Sequence, residues 1–495
     1  MSLNLISDRW IPILARDGGR RMIAPWEIAD PSLDHLDWPR ADLNIACLEL
    51  LIGLVFLVDP PEDLEDWFEH QEPDPERLRE RLAEFQPAFN LLGDGPRFMQ
   101  DLERIESAIN PPDMLFIDSA GGQTVRNNAD LMVWRDRYPA LSPAMAAMAL
   151  YTLQAHAPSG GAGNRTSMRG GGPMVTLVQP SDELWALVWA NVPYGRPATP
   201  DDLPWMRKTR TSEKAQQVLP EQSHPGEAFF GMPRRLRLVE EDGLIIGVMQ
   251  RPYGTNYAGW DHPLTPYYRP KLTDDWLPRR PRAGLFGYRN WLGVVVAGQS
   301  EADHEAAALV RRAQILRDWH ERGGARGAQV LVAGWAMENM KPRDFILSEQ
   351  PFVRLSRERL AVLHGMITAA ENYGIVLRAA LKPVLAEGEA REALREAFFM
   401  ETDTGFDAGA SALERGEHVE TIARDWIRCM REVAMGLFES RALPGLADRQ
   451  TKNQEEIVKA HWNLSTSFAG YGKLGAEAYR ELMLPIPARK KKEPA

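Results

Sequence analysis

At 495 residues the chain exceeds what one hydrophobic core usually organises, so two or three domains are expected. Apolar residues make up 44% and charged residues 26%, which excludes a disordered or fibrous chain. The formal net charge of −11 argues against a protein that coats nucleic acid by itself, while leaving room for a local basic groove.

The opening MSLNLISDRWIPI lacks the basic-then-apolar order of a signal peptide. Leu3–Ile6 and Trp10–Leu14 read as a starting hairpin or strand pair. Asp42–Val58 is apolar at helical spacing. Its run Ile45–Val58 is interrupted by Glu49 and too short to span a bilayer, so it reads as a buried helix in a cytoplasmic protein with no membrane partner. Met174–Val178, Leu184–Trp189, Leu244–Met249, Leu292–Val296 and Gln329–Val332 are aliphatic runs bounded by turn residues, hence strands. The Pro-, Trp- and Tyr-rich stretches 190–235 and 250–290 read as ordered irregular loops.

After about residue 355 the period becomes helical. Leu360, Leu363, Ile367, Ala370, Tyr373 and Leu377 mark one helix, Ala390–Thr402 a shorter one, and Val419, Ile422, Trp426, Cys429 and Val433 a third. Ile457, His461, Leu464 and Phe468 mark a fourth, weakened at its end by Gly472 and Gly475. The expected fold class is α+β: a large mixed N-terminal domain over 1–355, a C-terminal four-helix bundle over 356–485, and a basic tail over 486–495.

No catalytic constellation stands out, so a non-enzyme is expected. The glycine-rich Gly160–Pro173, GGAGNRTSMRGGGP, lacks the Gly-Lys-Ser/Thr ending of a phosphate-cradling hydrolase loop. His70-Gln71-Glu72 and His418-Val419-Glu420 resemble the start of a zinc deaminase signature, but no Pro-Cys-x-x-Cys follows. Only two cysteines occur, Cys47 and Cys429, so no thiolate zinc site is available and neither metal nor cofactor is expected. Asp261-His262 reads as a structural histidine in its loop. Basic residues cluster at Arg207-Lys208-Thr209-Arg210, at Arg279-Arg280-Pro281-Arg282 and at Arg489-Lys490-Lys491-Lys492, each a candidate patch or plain solvated surface.

Several segments in one shared order resemble the CasA family, the large subunit of the type I-E CRISPR Cascade surveillance complex. They are Leu5-Ile6-Ser7-Asp8-Arg9-Trp10-Ile11-Pro12, Pro39-Arg40-Ala41-Asp42, Pro96-Arg97-Phe98-Met99-Gln100, and Ala149-Leu150-Tyr151 through Ala157-Pro158. The glycine loop and Met168-Arg169-Gly170-Gly171-Gly172-Pro173 follow, then a strand ending in Gly334-Trp335. The resemblance implies a subunit that reads the protospacer-adjacent motif (PAM) of foreign double-stranded DNA, helps open the duplex for guide RNA, and docks a helicase-nuclease. Its partners would be target DNA, the guide RNA 5′ handle and the other Cascade subunits.

The resemblance places the reading loop at Ser159–Asn164. Gly160, Gly161 and Gly163 would let backbone approach the duplex, Ala162 adds little bulk, and Asn164 closes the loop. Arg165 and Arg169 would hold phosphates. The duplex-opening wedge maps to Glu338, Asn339, Met340 and Lys341, without the glutamine common in the family, so an amide or the apolar Met340 would wedge. Arg251, upstream of Trp260–Pro266, stands where a basic residue would enter the minor groove. The loop from about Ser119 to Pro139 would contact the RNA handle through Asn128, Arg135 and their neighbours. Two alternatives stay open on the residues alone, a pure protein–protein scaffold and a metal-dependent nuclease.

Overall fold

The computed structural model describes residues 3–128, 130, 133–161, 163–298, 309–324 and 327–487. The chain divides into two compact units: 1–285 with 312–352, and 286–311 with 353–495. The second unit is therefore not contiguous in sequence, because an excursion of the chain before residue 312 joins the C-terminal helices.

In the first unit, β1 (Ile11–Ala15) pairs antiparallel with β2 (Arg20–Ile23) and β3 (Leu33–Leu36). Leu3–Ile6 is not a strand. The Asn4 side-chain oxygen accepts from the N–H groups of Ile6 and Ser7, closing a turn where a ladder was expected. Helix α1 (Ala41–Val58) carries apolar residues all around, interrupted by Asp42 and Glu49, and is enclosed on nearly every face, which accounts for its lack of amphipathic pattern. By length and composition it and Arg357–Ala380 are apolar enough to cross a membrane, but α1 is a core helix here. At Gly53 an added Cβ would lie 2.8 Å from Phe229 Cβ, so this glycine admits the aromatic layer Phe229–Phe230.

Helix α2 (Pro143–His156) packs on α1. It starts where Ser142 Oγ accepts from Met145 N–H and Pro143 occupies the first turn. Strand β4 (Val175–Gln179) follows. The expected strand Leu184–Trp189 is a helix, α3 (Leu184–Ala190). Its short apolar run carries no decisive period, and tertiary packing settles it: Trp189 stacks on Trp67 and Trp185 on Trp189.

Strands β5 (Arg235–Glu241) and β6 (Leu244–Arg251) form a hairpin whose turn residues Asp242 and Gly243 both have positive φ. Strands β7 (Gln329–Glu338) and β8 (Lys341–Pro351) form the longest hairpin, and β7 also pairs with β4, giving the antiparallel order β8–β7–β4.

In the second unit, Leu292–Val296 is a turn and not the expected strand. The N–H groups of Val294, Val295 and Val296 all converge on the carbonyl of Trp291. Five helices follow: α4 (Arg357–Ala380), α5 (Gly388–Arg415), α6 (Val419–Ala442), α7 (Thr451–Ser467) and α8 (Gly472–Glu481). The fifth arises at the glycines that weaken the fourth, and α5 is far longer than Ala390–Thr402. At Gly365 of α4 a Cβ would collide with the Glu481 carbonyl, so the α4–α8 approach depends on that glycine. Tyr373 stacks on Phe468 at 4.0 Å, and Tyr288 on Phe406 at 4.3 Å, filling the interior.

Candidate nucleic-acid interface

The glycine-rich segment splits into two halves with different surroundings. In the first, Gly160 N–H donates to the Asn164 carbonyl at 3.2 Å and Asn164 N–H to the Gly161 carbonyl at 2.7 Å, closing a tight loop. Gly161 and Gly163 take φ of 65° and 82°, a region that favours glycine. The loop is stitched to the chain after β6. Tyr253 N–H donates to the Gly163 carbonyl, its ring lies 2.9 Å from where a Gly163 Cβ would stand, and Gln250 Nε2 donates to Asn164 Oδ1. Arg165 donates twice to Ser212, through Nε to Oγ at 2.8 Å and through Nη2 to the carbonyl at 3.2 Å. Gly160 and Gly161 face solvent, as does Arg251 at the end of β6. Ala162 lies outside the described residues.

The second half is anchored below the surface, and here the expected phosphate contact at Arg169 is corrected. Arg169 is buried, with Nη2 2.7 Å from Glu49 Oε2 of α1. That approach lies at an angle unsuited to a hydrogen bond, so the pairing is coulombic. Arg169 also donates to Thr265 Oγ1 and the Ala155 carbonyl. The other Glu49 oxygen is 2.7 Å from His156 Nε2, and His262 Nε2 lies 4.0 Å from Oε2. Burial pushes the Glu49 carboxyl up, but Arg169 with His156 outweighs it and holds it down to about 2. Burial, reinforced by Arg169, keeps His262 well below its ordinary value. His262 Nδ1 accepts from Leu264 N–H, which fits the structural reading of Asp261-His262. A guanidinium paired inside this cluster is not available to DNA.

The wedge segment is the β7–β8 turn. Glu338 pairs with Lys341, and the two turn residues Asn339 and Met340 have φ of 50° and 61°, the two-residue geometry that matches strand twist. Asn tolerates this conformation; methionine rarely adopts it. Glu338 binds Arg343 at 2.7 Å, which neutralises its carboxylate. Asn339 and Lys341 are exposed and Met340 is half-buried. The hairpin meets the glycine segment. A Cβ on Gly171 would lie 3.2 Å from Met340 Sδ, and one on Gly172 would strike the Trp335 carbonyl. Arg280 is exposed, and its Nη2 lies 2.9 Å from the Cβ position of Gly170.

In the Ser119–Pro139 loop, Arg135 is occupied by Asp130, Nη2 to Oδ1 at 2.7 Å, and by Asn128 Oδ1 at 3.0 Å. Asn128 and Arg135 therefore brace the loop, and Trp134 projects from it, 84% exposed. Phe116 and Tyr138 stack at 4.2 Å at the loop base, with Arg137 held by Asp118. Ala129 lies outside the described residues, as does the basic run 489–492. Arg207 and Arg210 both bind the buried Glu227 at 2.7 Å, and Lys208 binds Glu103, so this first basic run serves structure.

Sequence reasoning missed Arg234 and Tyr253, and no local signal could have found them, because both gain their positions from tertiary packing.

A family model described as CRISPR-associated protein Cse1 matches residues 4–437. The fold is similar to that of Thermobifida fusca Cse1 (TM-score 0.73, 20% identity, covering 97% of this chain and 98% of that one). It is also similar to that of Thermus thermophilus CasA (Cse1), with TM-score 0.70, 18% identity, and coverage of 95% and 100%. A chain of a CRISPR RNA-guided surveillance complex matches at TM-score 0.64 and 14% identity over 94% of this chain and 99% of that one. The mixed α+β fold with its C-terminal helices agrees with these structures, and the family match reaches from Asn4 through most of the helical region. The chain belongs to the Cse1 family of CRISPR-associated proteins, also called CasA, the large subunits of the type I-E Cascade complex.

Proposed function

We propose that this protein, assembled with the other Cascade subunits and guide RNA, reads the PAM of foreign duplex DNA, starts its opening, and offers a docking surface to the helicase-nuclease. The observation that carries the reading is the convergence of two separately coded elements. The segment that exposes Gly160 and Gly161 continues to Gly171 and Gly172, where an added Cβ would lie 3.2 Å from Met340 Sδ at the tip of the β7–β8 hairpin and would strike the Trp335 carbonyl of β7, respectively. A backbone loop that approaches one groove therefore stands beside a rigid tip able to enter between base pairs. Arg251, Lys341 and Arg280 add exposed positive charge on the same unit. This local charge supports DNA binding despite the net charge of −11. Trp134 would stack on a base of the RNA handle. Helicase-nuclease recruitment rests on the family resemblance alone.

The test is duplex binding by the assembled complex with randomised bases beside the target. Gly161→Leu, which adds bulk into open space, is expected to abolish motif-dependent binding while the fold stays intact. Motif-independent binding by the unaltered complex would favour the pure scaffold.

A further inference from the structure

Four buried arginines of the first unit differ in what neutralises them. Arg169 faces Glu49, and Arg235 faces Asp101 with Nε 2.5 Å from Oδ2. Arg322 donates to the Tyr194 hydroxyl and to the carbonyls of Ala190 and Val192, and lies over the Trp67 and Tyr194 rings. Arg234, only 6% exposed, has neither a carboxylate nor an aromatic ring against it among the contacts of the described residues. Its Nη2 donates to the Pro158 carbonyl, its Nε has no hydrogen-bond partner, and no carboxylate pairs with it among the described residues. Burial pulls its pKa down to about 10 with nothing opposing the shift.

This unneutralised guanidinium lies directly beneath the glycine loop. A Cβ on Gly160 would come 2.5 Å from Arg234 Nη1, so the missing side chain at Gly160 is what makes room for the cation. Gly160 itself faces solvent, so the guanidinium stands close to the exposed edge of the loop.

We propose that Arg234 is a phosphate-binding residue of the glycine loop, holding a backbone phosphodiester of the target duplex over Gly160–Gly161. The chemistry is complementary. A planar guanidinium with unused donors suits a phosphate's paired oxygens, and the incoming anion supplies the counter-charge that the fold omits. The contact carries no base identity, so it would set affinity and register and leave motif choice to the exposed tip and groove contacts.

The inference rests on the loop approaching the duplex, so the experiment separates the two. Arg234→Met and Arg234→Lys are introduced into the complete guide-loaded complex, and duplex affinity is measured over a range of salt. R234M is expected to lose about tenfold in affinity, equally for all motif sequences, as a charge-assisted bond is removed. Its slope of log affinity against log salt should flatten by about 0.9, one phosphate's share. Its melting temperature should be unchanged or raised, since a lone buried charge is removed. R234K should keep the slope and lose affinity by less than R234M.

A folded R234M with unaltered affinity and slope overturns the proposal. So does an affinity loss with an unchanged slope and a lowered melting temperature, the result of a structural role alone. Impaired assembly with guide RNA in place of impaired duplex binding overturns the duplex assignment. If R234M does not fold, Arg234→Gln is measured in its place, and a folded R234Q with unaltered affinity and slope overturns it as well. If R234M binds normally but Gly161→Leu still abolishes binding, Arg234 falls and the loop reading stands. Normal binding by Gly161→Leu removes the loop reading itself.

Discussion

Arg165 and Arg169 flank the same glycine run four residues apart, and the fold treats them in opposite ways. Arg165 sits half-buried at the rim and donates to Ser212 of a neighbouring loop. Arg169 is drawn inside to Glu49, within a cluster that ties α1, the end of α2 and the Trp260–Pro266 loop to the glycine segment. The first half of the segment is thus a presented surface, and the second half is the post that holds it. The lesson is that a glycine-arginine composition alone does not distinguish presentation from anchorage; the deciding group is a carboxylate more than a hundred residues away.

The contrast breaks most visibly at Glu49. Glu49→Ala leaves Arg169 buried without its anion, and unfolding by urea should show a loss of about 3–5 kcal/mol. Arg165→Ala should cost under about 1 kcal/mol in the same assay. Equal losses would mean that both arginines anchor. The pH dependence follows from the same cluster. His262 is held neutral, so the unfolded chain binds its proton first as pH falls below about 6.5, and stability declines from there. Glu49 has a folded value near 2 against an ordinary 4.5, so its contribution is full above 4.5 and disappears as pH falls from 4.5 toward 2. In Glu49→Gln, stability measured across pH should lose that lower step.

A second, smaller contrast separates the glycines. Gly172 and Gly161 have nearly the same φ, 63° and 65°, so alanine strains both backbones by about 1–2 kcal/mol. At Gly172 the new Cβ also meets the Trp335 carbonyl and the Met337 side chain, whereas at Gly161 it meets nothing within 4 Å. Gly172→Ala should therefore be the costlier by a further ~1–3 kcal/mol. Melting curves of the two variants give the difference directly, and a matched pair would place Gly172 at the surface.

How legible this was follows from the same residues. The long amphipathic helices and the β7–β8 strand start carry periods that sequence displays. Leu184–Trp189 and Leu292–Val296 do not, since a five- or six-residue apolar run fits a strand, a helix turn or a buried loop equally well. Gly160–Asn164 could be singled out because glycine marks close approach. The inward turn of Arg169 could not, because nothing local to it names Glu49 as partner. Arg234 was invisible for the opposite reason: what sets it apart is a missing carboxylate, and an absent counter-charge has no signature in sequence.

The gentlest test concerns Met340. A two-residue turn with both φ values positive prefers Asn-Gly, and this hairpin places methionine at the second position. Met340→Gly removes that backbone strain and should leave the protein equally stable or up to about 1 kcal/mol more stable, within the range for relieving a left-handed residue. If the side chain were there only for packing against Gly171, its loss would instead lower stability. If the tip enters the duplex, the same variant should retain motif-dependent binding, since the loop and Arg251 are intact, but slow the appearance of unpaired target bases. Monitoring opening with a fluorescent base next to the motif separates these outcomes. A residue that strains its own turn and, in that outcome, assists opening would belong with the presented half of this surface, where conformational cost serves contact and not the fold.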